Sequence, residues 1–344
     1  MDKVTFQKAI MSAAAEIASD SSEFDIFAHW PMQTSVLGKI QTAYEAIAPV
    51  DENYLQLYIV SDNDTYFDLD IKLYIRSKLI SASGKDADFS DHTGVKNNFL
   101  HSLFRQSNVT LNFINITQAS EIYNYRSYLE TLMTYRSDAA ASHLTNAYWY
   151  PDTGVIELVV PSVENVTATK TRGFILRWNR ISGSREVQIF RRLPSDIGKV
   201  NLYLLPGVRL QFTFTKARPS SYPMNKTIDS NTVFKFLDAQ LLFRRVRPKS
   251  AIFLAHNSTL KNRGIVAHYN LSSVELKKFS FAAGSKSLSI DNAVLGPITK
   301  LLLFTVVKYS DSIASLDNNP YIFLHYDNRN ISLFMSGNSC LTRA

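Results

Sequence analysis

The sequence predicts an all-β fold, a sandwich or jelly roll with a few short helices inserted between strands. Three observations carry this. Long stretches alternate apolar and polar residues with period 2, the mark of a strand with one buried face. Many short strand candidates follow one another, separated by turn signals such as Pro206-Gly207, Ala282-Ala283-Gly284 and Asp317-Asn318-Asn319-Pro320. The chain is also rich in aromatic residues, with 21 Phe and 17 Tyr, which suit pleated surfaces better than helical bundles.

In chain order, residues 2–19 place Val4, Phe6, Ile10, Ala14 and Ile17 near one stripe, with Asp2 available as a cap. They read either as an amphipathic helix or as an N-terminal arm. The strand signal is clearest at Tyr54–Val60 and at 67–75. There Phe67, Leu69, Ile71, Leu73 and Ile75 share one face, and Asp68, Asp70, Lys72 and Tyr74 share the other. A helix is predicted where Tyr125, Tyr128, Leu129, Leu132 and Met133 recur at helical spacing. Arg126, Glu130 and Thr134 lie opposite, and Asn124 is the candidate cap. Further strands are expected at 155–160, 173–181, 185–191, 200–204, 208–215 and 232–247. A second group is expected at 273–281, 300–308, 321–326 and 331–335. Pro248 interrupts the long pattern before it, so 247–250 is a candidate boundary.

The 344 residues are enough for about two domains. Hydrophobic residues make up 45 % and charged ones 19 %, which excludes a disordered chain. One cysteine, Cys340, excludes a disulfide-stapled scaffold. The longest strongly apolar run, Leu301 to Val307, is far short of the roughly 20 residues of a membrane-spanning helix. No basic-then-apolar leader pattern opens the chain, so secretion is not expected. The net charge of +7 divides unevenly: −10 over residues 1–169, +15 over 170–263 and +2 over 264–344. Such a division suggests oppositely charged surfaces, or an anionic partner for the basic one.

Candidate chemistry is sparse. The seven histidines include no His-x-x-x-His pair, and with one cysteine a zinc site is not expected. His101 reads as a packed histidine. Asp62-Asn63-Asp64 and Asp68-Leu69-Asp70 could offer oxygen ligands to a divalent cation, but they lack the glycine and closing glutamate of a calcium loop. They read rather as a polar turn followed by the wet face of a strand. No phosphate-cradling glycine motif and no Gly-x-Ser-x-Gly occurs, so no catalytic, cofactor or metal residues are assigned and an enzyme is not expected. The basic middle remains: Arg172, Arg177, Arg180 and Arg185, then Arg191 and Arg192, then Arg244, Arg245, Arg247 and Lys249. Arginine pairs with phosphate bidentately, so the last six are candidates for contact with nucleic acid. Two plainer readings compete and are favoured: a solvated sheet face, or pairing with acidic residues of the same or a neighbouring subunit.

Several blocks resemble the major capsid proteins of Polinton/Maverick elements and adintoviruses. The most specific is Tyr125-Arg126-Ser127-Tyr128-Leu129-Glu130-Thr131-Leu132, followed by Tyr135, Leu144-Thr145 and Trp149-Tyr150-x-Asp152-Thr153. Asn97-Asn98-Phe99-Leu100-His101-Ser102-Leu103-Phe104 is similar to another family run, as are Phe24-Asp25-Ile26-Phe27 and Phe279-Ser280-Phe281. The resemblance covers about residues 24–335, with Trp30-Pro31-Met32 departing where the family tends to carry two prolines.

The resemblance implies a double jelly roll and a structural, non-enzymatic role. It implies homotrimers tiling an icosahedral shell, together with a minor capsid or penton protein and non-specific DNA contact. A virion location follows if the protein is functional, and the nucleus or cytoplasm otherwise. On this reading residues 1–23 are an arm or helix, 24–247 a first jelly roll and 248–344 part of a second. Tyr125, Arg126, Tyr128, Leu129, Glu130 and Trp149 are then signature structural residues. The family pattern continues beyond the point matching Phe334, whereas this chain leaves it at Ser336. The expectation is therefore a truncated copy with an incomplete second barrel, exposing strand edges and the apolar stretch around Leu301–Val307. The alternatives are a nucleic-acid-binding β-protein using residues 170–263, and a sugar-binding or cupin-like jelly roll. The scatter of the histidines speaks against the cupin.

Overall fold

A computed structural model describes residues 34–47, 53–60, 62, 64–88, 92–117, 120–152, 172–224, 232–262, 265–282, 284–285, 287–294, 299–313, 316, 318–324, 326–328, 330–335 and 338–343. The expected N-terminal arm, the 155–160 strand and the Phe24–Phe27 block lie outside them.

Among the described residues ten strands precede residue 249: β1 (Val36–Glu45), β2 (Tyr54–Val60), β3 (Tyr66–Ser81), β4 (Gly94–Val95), β5 (Phe104–Leu111), β6 (Ile114–Asn115), β7 (Val187–Arg192), β8 (Arg209–Lys216), β9 (Pro223–Met224) and β10 (Thr232–Pro248). Eight form two four-stranded sheets, ordered β1-β10-β3-β7 and β2-β8-β5-β6, while β4 and β9 pair separately. Every pairing is antiparallel. First and last strands, β1 and β10, lie side by side in one sheet, while β2, β5, β6 and β8 lie in the other. That wiring is a jelly roll.

Period-2 alternation does what it predicts. Phe67, Leu69, Ile71, Leu73 and Ile75 of β3 are all within 2 % of complete burial. They meet Phe234, Phe236, Leu241 and Phe243 of β10 beside them, and Leu55, Leu57, Ile59, Leu210, Phe212 and Phe214 of the opposite sheet, in one continuous core. Side chains fill the space between the sheets, so this is a packed sandwich. The β5–β6 connection is a two-residue turn with Asn112 and Phe113 at φ +46° and +71°. The Asn112 side chain accepts the Arg209 N–H at 2.9 Å, and the Arg209 carbonyl accepts the Asn112 N–H at 2.9 Å, tying the turn to β8.

Between β6 and β7 the chain leaves the sandwich to form two longer helices, Tyr123–Thr134 and Arg172–Ile181. The second corrects the expected 173–181 strand. Its aromatic and branched residues suggest a strand, but Phe174, Ile175, Trp178 and Ile181 are spaced to bury one helical face. Phe174 packs so tightly on β4 that a Cβ on Gly94 would lie 2.3 Å from its ring. The expected 200–204 strand reduces to a single bridge between Leu204 and Phe67.

Beyond Pro248 the pattern changes. Helix Ser250–Lys261 follows at once and buries none of its residues. The strands expected at 273–281, 300–308 and 321–326 are not formed among the described residues. Of that group only Ile331–Met335 is a strand, paired with Asn338–Arg343. Leu324 N–H donates to the Val306 carbonyl at 3.3 Å, but no ladder of such bonds builds up along these segments among the described residues. No helix among the described residues is long and apolar enough to cross a membrane.

Candidate functional site

The Tyr-Arg-x-Tyr-Leu-Glu block occupies helix Tyr123–Thr134, which binds the sandwich to the C-terminal part of the chain. Asn124 is not its cap; the helix starts at Tyr123 with Ile122 before it and no side-chain cap. Its inward face is also rotated from the expected one. Arg126, Ser127, Tyr128 and Thr131 are buried, while Leu132 and Met133 are about half exposed. A polar anchor overrides the apolar stripe. Asp196, 1 % exposed in the loop after β7, accepts a hydrogen bond from Arg126 Nη2 at 2.5 Å. Arg126 Nε donates to Glu130 at 3.0 Å, and Glu130 accepts Lys199 Nζ at 3.0 Å. Once Asp196 is buried, only an inward Arg126 keeps that carboxylate from being an unpaired interior charge.

An aromatic cluster lies on the same helix. Tyr128 stacks on Tyr321 with ring centres 4.2 Å apart and packs on Trp149 at 4.8 Å. Leu144 completes the buried set, with Tyr125, Tyr135 and Phe323 partly buried around it; Leu129 of the same helix is half-buried. Tyr321 thus holds the 318–324 segment against the jelly roll. Arg191 lies beneath, its guanidinium 5.5 Å from the Trp149 ring and 5.7 Å from that of Tyr135. It donates to Asn98 Oδ1 at 2.8 Å and Thr131 Oγ1 at 2.5 Å. Burial pulls its pKa down to about 10. This interior position removes Arg191 from any surface that nucleic acid or a neighbour can touch. His101 is fully buried with Nδ1 3.0 Å from the Tyr123 hydroxyl, and burial drives its pKa well below the ordinary range.

The acidic and basic stretches meet on the outer face of the β1-β10-β3-β7 sheet. In the antiparallel register Arg244 lies opposite Asp68, and it pairs with Asp68 at 3.0 Å and Asp70 at 3.4 Å. Arg192 reaches Asp70 at 3.2 Å, Arg245 pairs with Asp62 and Tyr44, and Arg247 lies 3.9 Å from Asp64. The four aspartates considered as cation ligands are therefore arginine partners. Among the described residues no cluster of three or more His, Cys, Asp or Glu could hold a metal. Lys249 is exposed just ahead of helix Ser250–Lys261. Of the six candidate contact cations, then, one is interior, four face acids of the same chain and one is exposed.

Sequence reasoning missed two interior charges. Arg177 is completely buried in helix Arg172–Ile181. Its Nε donates to the Val95 carbonyl at 2.8 Å, Nη1 to the Tyr150 carbonyl at 3.1 Å and Nη2 to Asp152 at 2.7 Å. Misreading 173–181 as a strand hid this role. Lys96, 1 % exposed, places Nζ 3.4 Å from the Ser220 carbonyl, and burial pulls its pKa down to about 7. Since its folded pKa lies below the unfolded value, the unfolded chain holds the extra proton from about pH 7 to about pH 10, and stability rises with pH across that window. Lys96→Met removes the penalty. Denaturation at neutral pH is expected to show a gain of about 2–4 kcal/mol, with the rise between neutral and alkaline pH flattened.

No protein-family model matches the chain, and no curated protein matches it in sequence. Solved structures to which it is similar include that of the Sputnik virophage determined by cryo-electron microscopy, at 8 % identity and TM-score 0.44, over 67 % of this chain and 52 % of that one. The Faustovirus major capsid protein matches at 7 % identity and TM-score 0.35, over 74 % and 63 %. The mavirus major capsid protein matches at 10 % identity and TM-score 0.31, over 67 % and 50 %. The chain spans about half the length of most of these solved chains.

Proposed function

We propose that this chain is a structural, non-enzymatic subunit of the major-capsid-protein kind, which works by associating with copies of itself. One observation carries the reading. Beyond the packed jelly roll, apolar side chains stand exposed in quantity: Leu301 at 68 %, Leu302 at 51 %, Leu303 at 49 % and Phe304 at 54 %, with Val266, Phe281 and Phe334 also more than half exposed. A soluble monomer rarely presents so much apolar surface, and contact with other protein surfaces is what covers it. The interior of the jelly roll is filled with side chains, which disfavours a cupin-like ligand barrel. The same-chain pairing of Arg192, Arg244, Arg245 and Arg247 leaves the nucleic-acid reading less free charge to work with.

The finer features rest on the sequence resemblance. They are a Polinton/adintovirus-type identity, homotrimers in an icosahedral shell, penton or minor-protein partners and a virion location. The division into a first jelly roll over 24–247 and a second unit over 248–344 belongs to the same proposal.

The test is a double substitution, Leu302→Asp with Phe304→Asp. Both side chains are half exposed, so the jelly-roll core is untouched. Sedimentation velocity is expected to move from oligomers towards monomer, with the far-UV circular dichroism unchanged. An unaltered oligomer distribution would sink the role assigned to this stretch.

A further inference from the structure

We propose that strand β1 pairs antiparallel with β1 of a second copy of this chain, joining two four-stranded sheets edge to edge. β1 ends the order β1-β10-β3-β7, and among the described residues β10 is the one strand that pairs with it. It is ten residues long and buries none of them. The other edge strands of the two sheets are shorter: β7 has six residues, β2 seven and β6 two. Proteins blunt long open edges with clustered charge, proline or bulges. β1 carries no proline, and its register shift lies at its start, between Val36 and Gly38, so Gly38–Glu45 runs regular. It presents Leu37 and Ile40 at 61 % and 62 % exposure, with Ile47 just beyond it at 67 %. An open strand with apolar side chains along it is a template for another strand.

The charges of the strand choose the occupant. Lys39 and Glu45 are the two charged residues of β1, and among the described residues neither has an ion-pair partner. Lys39 Nζ lies 5.4 Å from the centre of the Tyr203 ring. Side chains alternate along a strand, so Lys39, Gln41, Ala43 and Glu45 share one face. A two-fold axis through Thr42, perpendicular to the sheet, keeps both cores on one side and sets Thr42 opposite its own copy. Lys39 then faces the partner's Glu45, and Glu45 faces the partner's Lys39. Ile40 faces the partner's Tyr44, Gln41 faces the partner's Ala43, and Leu37 comes near the partner's Ile47 at each end. Sliding the register by two residues loses the match, because Lys39 then faces Ala43 or Ile47, and Glu45 faces Leu37 or Gln41. A slide of one residue turns one core to the opposite side of the sheet. β1 is thus complementary to itself in one register, which argues for a second copy over a foreign strand. The contact consumes both edges and closes at a dimer, so further growth uses a different surface. This inference rests on the self-association reading and adds a two-fold contact separate from the Leu301–Phe304 stretch.

Disulfide trapping and charge reversal test the contact in the full chain. Thr42→Cys is made together with Cys340→Ser and oxidised mildly. Residues facing each other across an antiparallel pair have Cα atoms about 4.5–5.5 Å apart, within disulfide reach. A covalent dimer is expected on non-reducing gels. Leu37→Cys with Cys340→Ser is the control. The two copies of residue 37 lie at opposite ends of the paired strands, about 34 Å apart, and no dimer is expected. Lys39→Glu and Glu45→Lys alter exposed side chains. Each sets two like-charge pairs across the axis and is expected to weaken the dimer about tenfold by sedimentation velocity, and the doubly reversed chain to restore it. The cross-link and the charge effects are expected to persist when Leu302→Asp and Phe304→Asp are also present. Oligomers that form without the Thr42→Cys cross-link and ignore charge reversal overturn the two-fold contact while self-association stands. A double reversal that fails to restore the dimer overturns it as well. A chain that stays monomeric at every concentration and gives no cross-link overturns both readings.

Discussion

Arg177→Met is expected to cost about 3–5 kcal/mol of folding stability, read as a fall in the urea midpoint. Methionine fills most of the volume but donates no hydrogen bonds. The carbonyls of Val95 and Tyr150 lose the guanidinium, and among the described residues the buried Asp152 is left with the Asn319 amide, at 3.5 Å. Burial already pushes the Asp152 carboxyl above its ordinary range against the pull of Arg177, so removing the guanidinium raises it further. The effect reaches beyond one helix, because Val95 belongs to β4 and Tyr150 precedes Asp152 in the loop after the aromatic cluster. Arg180→Gln, an exposed change on the same helix, is the control and is expected to stay within about 0.5 kcal/mol. A loss below about 1 kcal/mol for Arg177→Met would show that the buried fork is not what fastens this insertion to the sandwich.

Trp149→Ala is expected to cost about 3–5 kcal/mol as well, for a different reason. The indole is 5 % exposed, packs on Tyr128 and covers the Arg191 guanidinium. Removing it leaves a cavity and uncovers a buried cation with no carboxylate among its described partners. Because Tyr128 is also the platform for Tyr321, amide exchange in residues 318–324 is expected to speed up along with the global loss. Exchange there that stays slow while global stability falls would mean the C-terminal segment is held by something other than this stack.

What the sequence made legible follows from where its period is unambiguous. Tyr54–Val60 and the 67–75 alternation are strands with the expected faces inward, because a half-buried strand leaves no other pattern. The 208–215 and 232–247 stretches are legible for the same reason, and their pairing with β2, β5, β1 and β3 generates the jelly-roll order. Helix Arg172–Ile181 was illegible because its aromatic and branched residues favour strands locally, and only tertiary burial of Arg177 and Trp178 decides the matter. The rotation of helix Tyr123–Thr134 was hidden likewise: nothing in Arg126 itself announces that Asp196, 70 residues away, will be buried beneath it.

Charge gives the other half of that lesson. The −10 and +15 stretches could have pointed outward to an anionic partner or inward to each other. The register of β3 against β10 brings Asp68 opposite Arg244, and the neighbouring aspartates take Arg192, Arg245 and Arg247. The 273–281, 300–308 and 321–326 stretches carry apolar, branched sequence that favours strands, but such sequence specifies a strand only where a ladder of backbone hydrogen bonds forms, and none does among their described residues.

The central claim is that this chain works by associating with copies of itself. Sedimentation velocity over a concentration series, with negative-stain electron microscopy of the same samples, tests it most directly. The expected result is concentration-dependent growth into discrete trimers or larger closed assemblies. A monodisperse monomer at every concentration, with residues 265–335 protected from amide exchange, would contradict it.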